Sequence, residues 1–230
     1  MHLLTLSALH EIVNSNSITN TSPLVPAYIQ EQLQLAVKQM LMGLPVEPLL
    51  DNNPQIQQWV NELKQLLPSL FVPHKKLLPD IPLTAKVDLN SSLYLTNLNQ
   101  KYYPQHQFKI IEVRAHIGIV KGKPRLFEWA IRHPILSWQD RVKLWVAAEY
   151  FKIQPQELQL IVLALHPTRA AQKVSFSWDR RQHRQIKNWL LNAIKLETEQ
   201  KFVNSEHFLA SQAEEIATAI NLDEIDEVSL

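Results

Sequence analysis

Cysteine is absent from this 230-residue chain, which excludes disulfides and thiolate metal sites. The absence fits a reducing compartment. Glycine is nearly as scarce, with Gly43, Gly118 and Gly122 the only three. A phosphate loop of Walker or Rossmann type needs several closely spaced glycines so that bare backbone N–H groups can reach the phosphates, so nucleotide binding by those devices is excluded. No apolar run approaches the roughly 20 residues that cross a bilayer. The segment from Met1 to Leu6 also lacks the positive flank of a signal peptide. We therefore expect a soluble, cytoplasmic protein with no membrane partner. A large net charge is missing too: the formal value of +1 argues against attraction of the whole molecule to polyanions. The histidines show no HExxH spacing and no Gly-x-Ser-x-Gly elbow occurs, so neither a zinc site nor a serine nucleophile is expected.

The apolar fraction of 46% is that of an ordinary globular protein, and the length suits one well-buried domain with a short appendage. Charge is unevenly placed. Eight basic residues fall between Arg169 and Lys201 against Asp179, Glu197 and Glu199, whereas seven acidic residues and no Lys or Arg follow Phe202. A basic segment followed by an acidic tail calls for an explanation.

Periodicity predicts helices over the first 80 residues: Leu3 to Val13, a second from Pro26 to Gly43 and a third from Pro54 to Leu67, with proline-rich 68–82 as a connector. The period then changes. Lys86–Leu89 and Ser92–Leu95 read as extended, and Phe108–Val120 is rich in β-formers. A turn at 121–124 returns the chain as a second strand to Ile131, making a hairpin. Trp138–Phe151 reads as a helix, Leu158–Leu165 as a buried strand, Lys173–Trp178 as an edge strand and Arg180–Thr198 as a closing helix. Strand, strand, helix, strand, strand, helix predicts an α/β domain with a mixed central sheet flanked by helices. The expected organisation is an N-terminal helical segment over 1–82, an α/β core over 83–201 and an acidic amphipathic tail over 202–230.

In the second strand of the hairpin, Glu128-Trp129-Ala130 is followed by a helix opening near Gln139, with Trp145 and Tyr150 further along it. Phe176-Ser177-Trp178 with Gln182-His183 closes the segment. Over residues 112–194 this order and spacing resemble the PD-(D/E)XK nuclease superfamily in its RecB-like branch, and small cyanobacterial members of it. The resemblance implies a restriction-endonuclease-like core. It also implies a site in which two acidic groups hold Mg²⁺ through oxygen ligands and a lysine two residues after the second acid positions the attacking water. Glu128 matches the second acid, Ala130 stands where the lysine belongs, and His116 occupies the neighbourhood of the first acid. The remnant site is therefore expected at His116, Glu128 and Gln139, with Asp88 and Glu112 as the acids of an alternative register.

Arg180, Arg181, Arg184 and Lys187 have helical spacing and could contact phosphates, with a solvated helix face as the plainer reading. Trp138 and Trp178 could stack on bases if exposed. The tail could fold back on the basic helix, or dock a protein partner through Phe208, Leu209 and Ile216. The leading expectation is a catalytically inactive, nuclease-like accessory subunit without a cofactor, binding nucleic acid or a protein. A pure protein-interaction module is the alternative. A third possibility is an Mg²⁺-dependent nuclease whose lysine has migrated, for example to Lys143, one helical turn after Gln139.

Overall fold

The computed structural model describes residues 3–14, 24–51, 53–68, 77–89, 108–120 and 122–195. Six strands form one mixed sheet: β1 (Leu3–Thr5), β2 (Leu77–Asp88), β3 (Phe108–Val120), β4 (Lys123–Ile131), β5 (Gln159–Leu165) and β6 (Gln172–Ser177). The helices are α1 (Leu6–Asn14), α2 (Ala27–Leu41), the single turn α3 (Glu47–Leu50), α4 (Pro54–Leu66), α5 (Trp138–Phe151) and α6, described over residues 180–195. The mixed α/β sheet flanked by helices that the sequence predicts is present.

β3 organises the sheet. One of its edges pairs with β2 along nearly its whole length, antiparallel. The other edge is shared: β4 takes residues 116–120 and β1 takes residues 110–112, the latter in parallel. Beyond Phe127 the β4 strand therefore has left β3. Its freed backbone is met by α2, where Gln34 donates to the Trp129 carbonyl at 2.7 Å and Gln30 accepts from the Ile131 N–H at 3.1 Å. Two half-buried glutamines thus supply the ladder partners that β3 no longer offers. β4 and β5 run parallel, with α5 as the crossover between them.

Each face of the sheet has its own core. Leu83, Ala85 and Val87 of β2, Ile111, Val113, Ala115 and Ile117 of β3, and Leu160, Val162 and Ala164 of β5 pack under α1, α5 and α6. Phe127, Trp129 and Ile131 alternate with them onto the opposite face, where they join Ile161, Leu163 and Leu165 under α2 and α4. The two helix sets make a three-layer arrangement. α5 begins with a capping box in which Ser137 accepts from the Asp140 N–H, and ends where Lys152 takes a left-handed conformation at φ 52°.

Two expectations need correction. Leu3–Thr5 is a strand, and the first helix starts only at Leu6. Residues 77–82, read as connector, are the first half of β2. Pro79 and Pro82 are tolerated there because β2 pairs only with β3 among the described residues, so a missing N–H can face outward. Ser92–Leu95 lies outside the described residues.

Gly118 sets how closely β2, β3 and β4 approach. A Cβ placed on it would lie 2.7 Å from Cε2 of Phe127 and 3.2 Å from Cδ1 of Leu77. Gly118→Ala is expected to destabilise the fold by about 1–3 kcal/mol through overpacking. Urea denaturation would measure the loss, and an unchanged midpoint would show that Phe127 rotates away without strain.

Candidate functional site

Glu128 and Lys143 meet on the α5 side of the sheet. The Lys143 Nζ donates to Glu128 Oε2 at 2.6 Å, and the two side chains are 17% and 16% exposed. Strand alternation places Glu128 with Leu126 and Ala130, facing α5, and Lys143 reaches down from that helix one turn after Gln139. Lys143 of α5 thus lies beside the one acid on this face of β4.

The neighbouring positions on this face of the sheet are apolar. They are Val113, Ala115 and Ile117 on β3, and Leu83, Ala85 and Val87 on β2. No second carboxylate of these strands shares the face with Glu128. A hard divalent cation needs several oxygen ligands, and here one carboxylate is already neutralised by an ammonium group. Among the described residues no group of three or more His, Cys, Asp and Glu is placed to hold a metal ion. The residues present do not fit the Mg²⁺ site that the resemblance implies.

His116 makes no hydrogen bond to Glu128, although the two are near enough for their charges to interact. It lies directly opposite Phe127 in the β3–β4 ladder, so it projects to the other face, where its ring stacks on Trp129 with centroids 3.9 Å apart. There it belongs to a different cluster. A register shift between Leu78 and Ile81 bulges β2 outward, and Asp80 sits in the bulge at φ 57°. The Asp80 N–H donates to His116 Nδ1 at 3.0 Å, and its carboxylate accepts from Arg114 at 3.0 Å and Lys38 at 3.3 Å. Burial holds the His116 pKa down at about 4, and Lys143 and Lys38 add to the effect against the opposing pull of Glu128 and Asp80. Burial of Asp80 works to raise its pKa, but the hydrogen bond from Lys38 and the charges of Arg114, Lys38 and His116 outweigh it, and the carboxyl lies below its ordinary value. His116 is therefore a neutral acceptor that pins the β2 bulge.

The alternative register fares no better as a site. Asp88 pairs with Phe108 and Glu112 with Thr84, so the two acids share a face but stand four positions apart along the ladder. At about 3.3 Å per residue that is roughly 13 Å, too far for one ion.

The basic helix face is as expected. Arg180, Arg181, Arg184 and Lys187 are exposed on α6, while Ile186, Leu190 and Ile194 are buried. Arg180, Arg181 and Arg184 line an open concavity of about 330 Å³ with Gln185 and Asn188. Arg180 donates to Gln154, a neutral partner, and none of the four basic residues makes an ion pair with a described residue. Trp178, considered above for base stacking, is 1% exposed and donates to His183, which removes it from that role. Trp138 is half-buried between His10 and Trp189. Phe208, Leu209 and Ile216 lie outside the described residues.

Sequence reasoning missed Asp80 and Lys38, for which no local pattern exists, and Asp140. The latter is 2% exposed and gathers Arg132 at 2.7 Å and the Ser137 hydroxyl and N–H at 2.8 Å each. The Ser137-x-x-Asp140 spacing was the available signal.

No family model and no curated protein matches the chain. Two solved structures are similar to it. One, the crystal structure of SSO0001, is 13% identical over 82% of each chain, with a TM-score of 0.37. The other, named "Putative exonuclease" from Eubacterium rectale, is 7% identical over 82% of this chain and 73% of its own, with a TM-score of 0.43. Likenesses this remote carry none of the argument below. Among the described residues no helix is long and apolar enough to cross a membrane.

Proposed function

We propose that the chain is a nuclease-like protein without hydrolytic chemistry, an accessory subunit that binds nucleic acid through the exposed face of α6. The observation that carries the first half is the Glu128–Lys143 pair, set beside Val162 of β5 on a face of the sheet where the described strands bring no second acid. The arginines of α6, which make no ion pair with a described residue, support the second half. They offer phosphates a mobile but concentrated set of charge-assisted donors, with no means of reading sequence.

Titration of labelled single- and double-stranded DNA and RNA across a salt series, with Mg²⁺ and Mn²⁺ present and products resolved on a gel, tests both halves. Binding should weaken steeply with salt and no strand should be cut. The double variant Arg181→Glu/Arg184→Glu should weaken binding at least about tenfold at low salt, because reversing two charges removes two phosphate contacts and adds repulsion. Absence of binding at low salt would end the nucleic-acid part and leave a protein partner.

One observation favours a hydrolytic reading: Lys143 lies within hydrogen-bond distance of the acid that matches the family's motif. Metal-dependent cleavage that is lost on Glu128→Ala would establish that reading and overturn the proposal.

A further inference from the structure

We infer that the concavity on α6 is a seat for the chain's own acidic tail, which competes there with nucleic acid and so restrains binding; this rests on the nucleic-acid reading above.

Three observations carry it. The first is the exposed basic face. Arg180, Arg181 and Arg184 line an open hollow of about 330 Å³ along one side of α6, and their only polar partner among the described residues is Gln154. The second is complementarity of composition. The residues after Phe202 carry Glu206, Glu214, Glu215, Asp223, Glu224, Asp226 and Glu227 and no Lys or Arg, opposite in sign to the helix that precedes them. The third is reach. α6 rises about 1.5 Å per residue, so Lys187 lies roughly 12 Å back from residue 195. Glu206 is eleven positions beyond that residue and can extend about 3.3 Å or more for each of them. The tail can therefore turn back along α6 with slack to spare, and tethering gives it an effective concentration of about millimolar. A phosphate backbone must then displace carboxylates from the arginines before it binds.

The absence of native cysteine makes the test clean, since two introduced thiols are the only ones present. Full chains carrying Ser211→Cys with either Gln185→Cys or Asn188→Cys would be treated with a short bis-maleimide, and intramolecular cross-linking timed. At about 0.01 M salt, where charges act over ~30 Å, cross-linking should be at least about tenfold faster than at about 1 M, where the range is ~3 Å. Neutralising the seven tail acids to Gln and Asn should slow it at low salt by a similar factor. The salt comparison needs no change to the tail, so a poorly folding variant cannot obscure it. Equal rates at both salts, or cross-links formed only between chains, would overturn the inference.

A second arm separates this from the function proposed above. A labelled single-stranded DNA should bind the neutralised-tail chain about tenfold more tightly than the unaltered chain. Equal affinities would overturn the competition while leaving nucleic-acid binding intact. Salt-sensitive cross-linking with no DNA binding by either chain would uphold the seat and overturn the nucleic-acid reading.

Discussion

Lys143→Met is expected to destabilise the fold by about 3–5 kcal/mol, the cost of leaving a largely buried carboxylate without its counter-ion. Glu128 is 16% exposed, its partner on β5 is Val162, and Leu126 and Ala130 flank it on its own face of β4, none of which can donate a side-chain hydrogen bond. The double variant Glu128→Leu/Lys143→Met should recover most of the stability, because an apolar pair of similar volume removes both desolvation costs at once. Urea denaturation of the two single variants and the double variant closes the cycle. A loss under about 1 kcal/mol for Lys143→Met would mean that the pair is hydrated as a surface bridge is, and that Glu128 is accessible enough to hold an ion after all.

The second large effect is a loss of stability on acidification, centred on His116. Its folded pKa of about 4 lies below the ordinary 6.5. Above pH 6.5 the imidazole is neutral whether the chain is folded or not. Between 6.5 and 4 only the unfolded chain takes up the proton, so stability falls with falling pH across that window. Below 4 both states are protonated and the loss stops growing, at about 3 kcal/mol for a shift of this size. Geometry explains the direction: Nδ1 already accepts from the Asp80 N–H, and a proton there would set two donors against each other. Asp80 adds a loss at lower pH. Its folded pKa is depressed, so its contribution is present above 3.8 and disappears as pH falls through the folded value. His116→Gln keeps an acceptor for the bulge but does not titrate. Its stability should change little between pH 7 and pH 5, and a slope equal to that of the unaltered chain would assign the effect elsewhere.

The elements most legible in the sequence were those with a strong period and a marked end. β3, the β4 hairpin, α5, β5, β6 and α6 fell where the patterns placed them, and Ser137 and Pro155 bracket α5 as cap and stop. β1 was not legible because nothing local makes Leu3–Thr5 a strand. Only the stretch of β3 edge left open by the departing β4 does so, and that is a tertiary fact. The start of β2 was hidden by Pro79 and Pro82, whose meaning depends on which edge of the strand faces its partner. At the candidate site Glu128 stood out by a resemblance to a motif, and Lys143 only as an example of a migrated lysine one turn after Gln139; the structure pairs the two. His116 was misplaced because side chains alternate between faces, and a hairpin's register cannot be fixed from composition closely enough to choose the face. The Asp80–His116–Lys38 cluster joins three elements distant in sequence and was beyond any local reading.

The pairing of Leu3 with Ile110 sets a timetable for the newborn chain. Translation at about 5–20 residues per second puts roughly 100 residues, and so several seconds, between the synthesis of β1 and that of β3, the strand it pairs with among the described residues. During that interval Leu3–Thr5 has no ladder to join, while α2 and α4 can already coil locally. β1 can thus be locked only once β3 is in place. Changes at Leu3 and Leu4 should act mainly on how fast the finished protein opens, with little effect on how fast it closes. Stopped-flow measurement of both rates for Leu4→Ala would show this, and a slowed folding limb would instead place β1 in the nucleus.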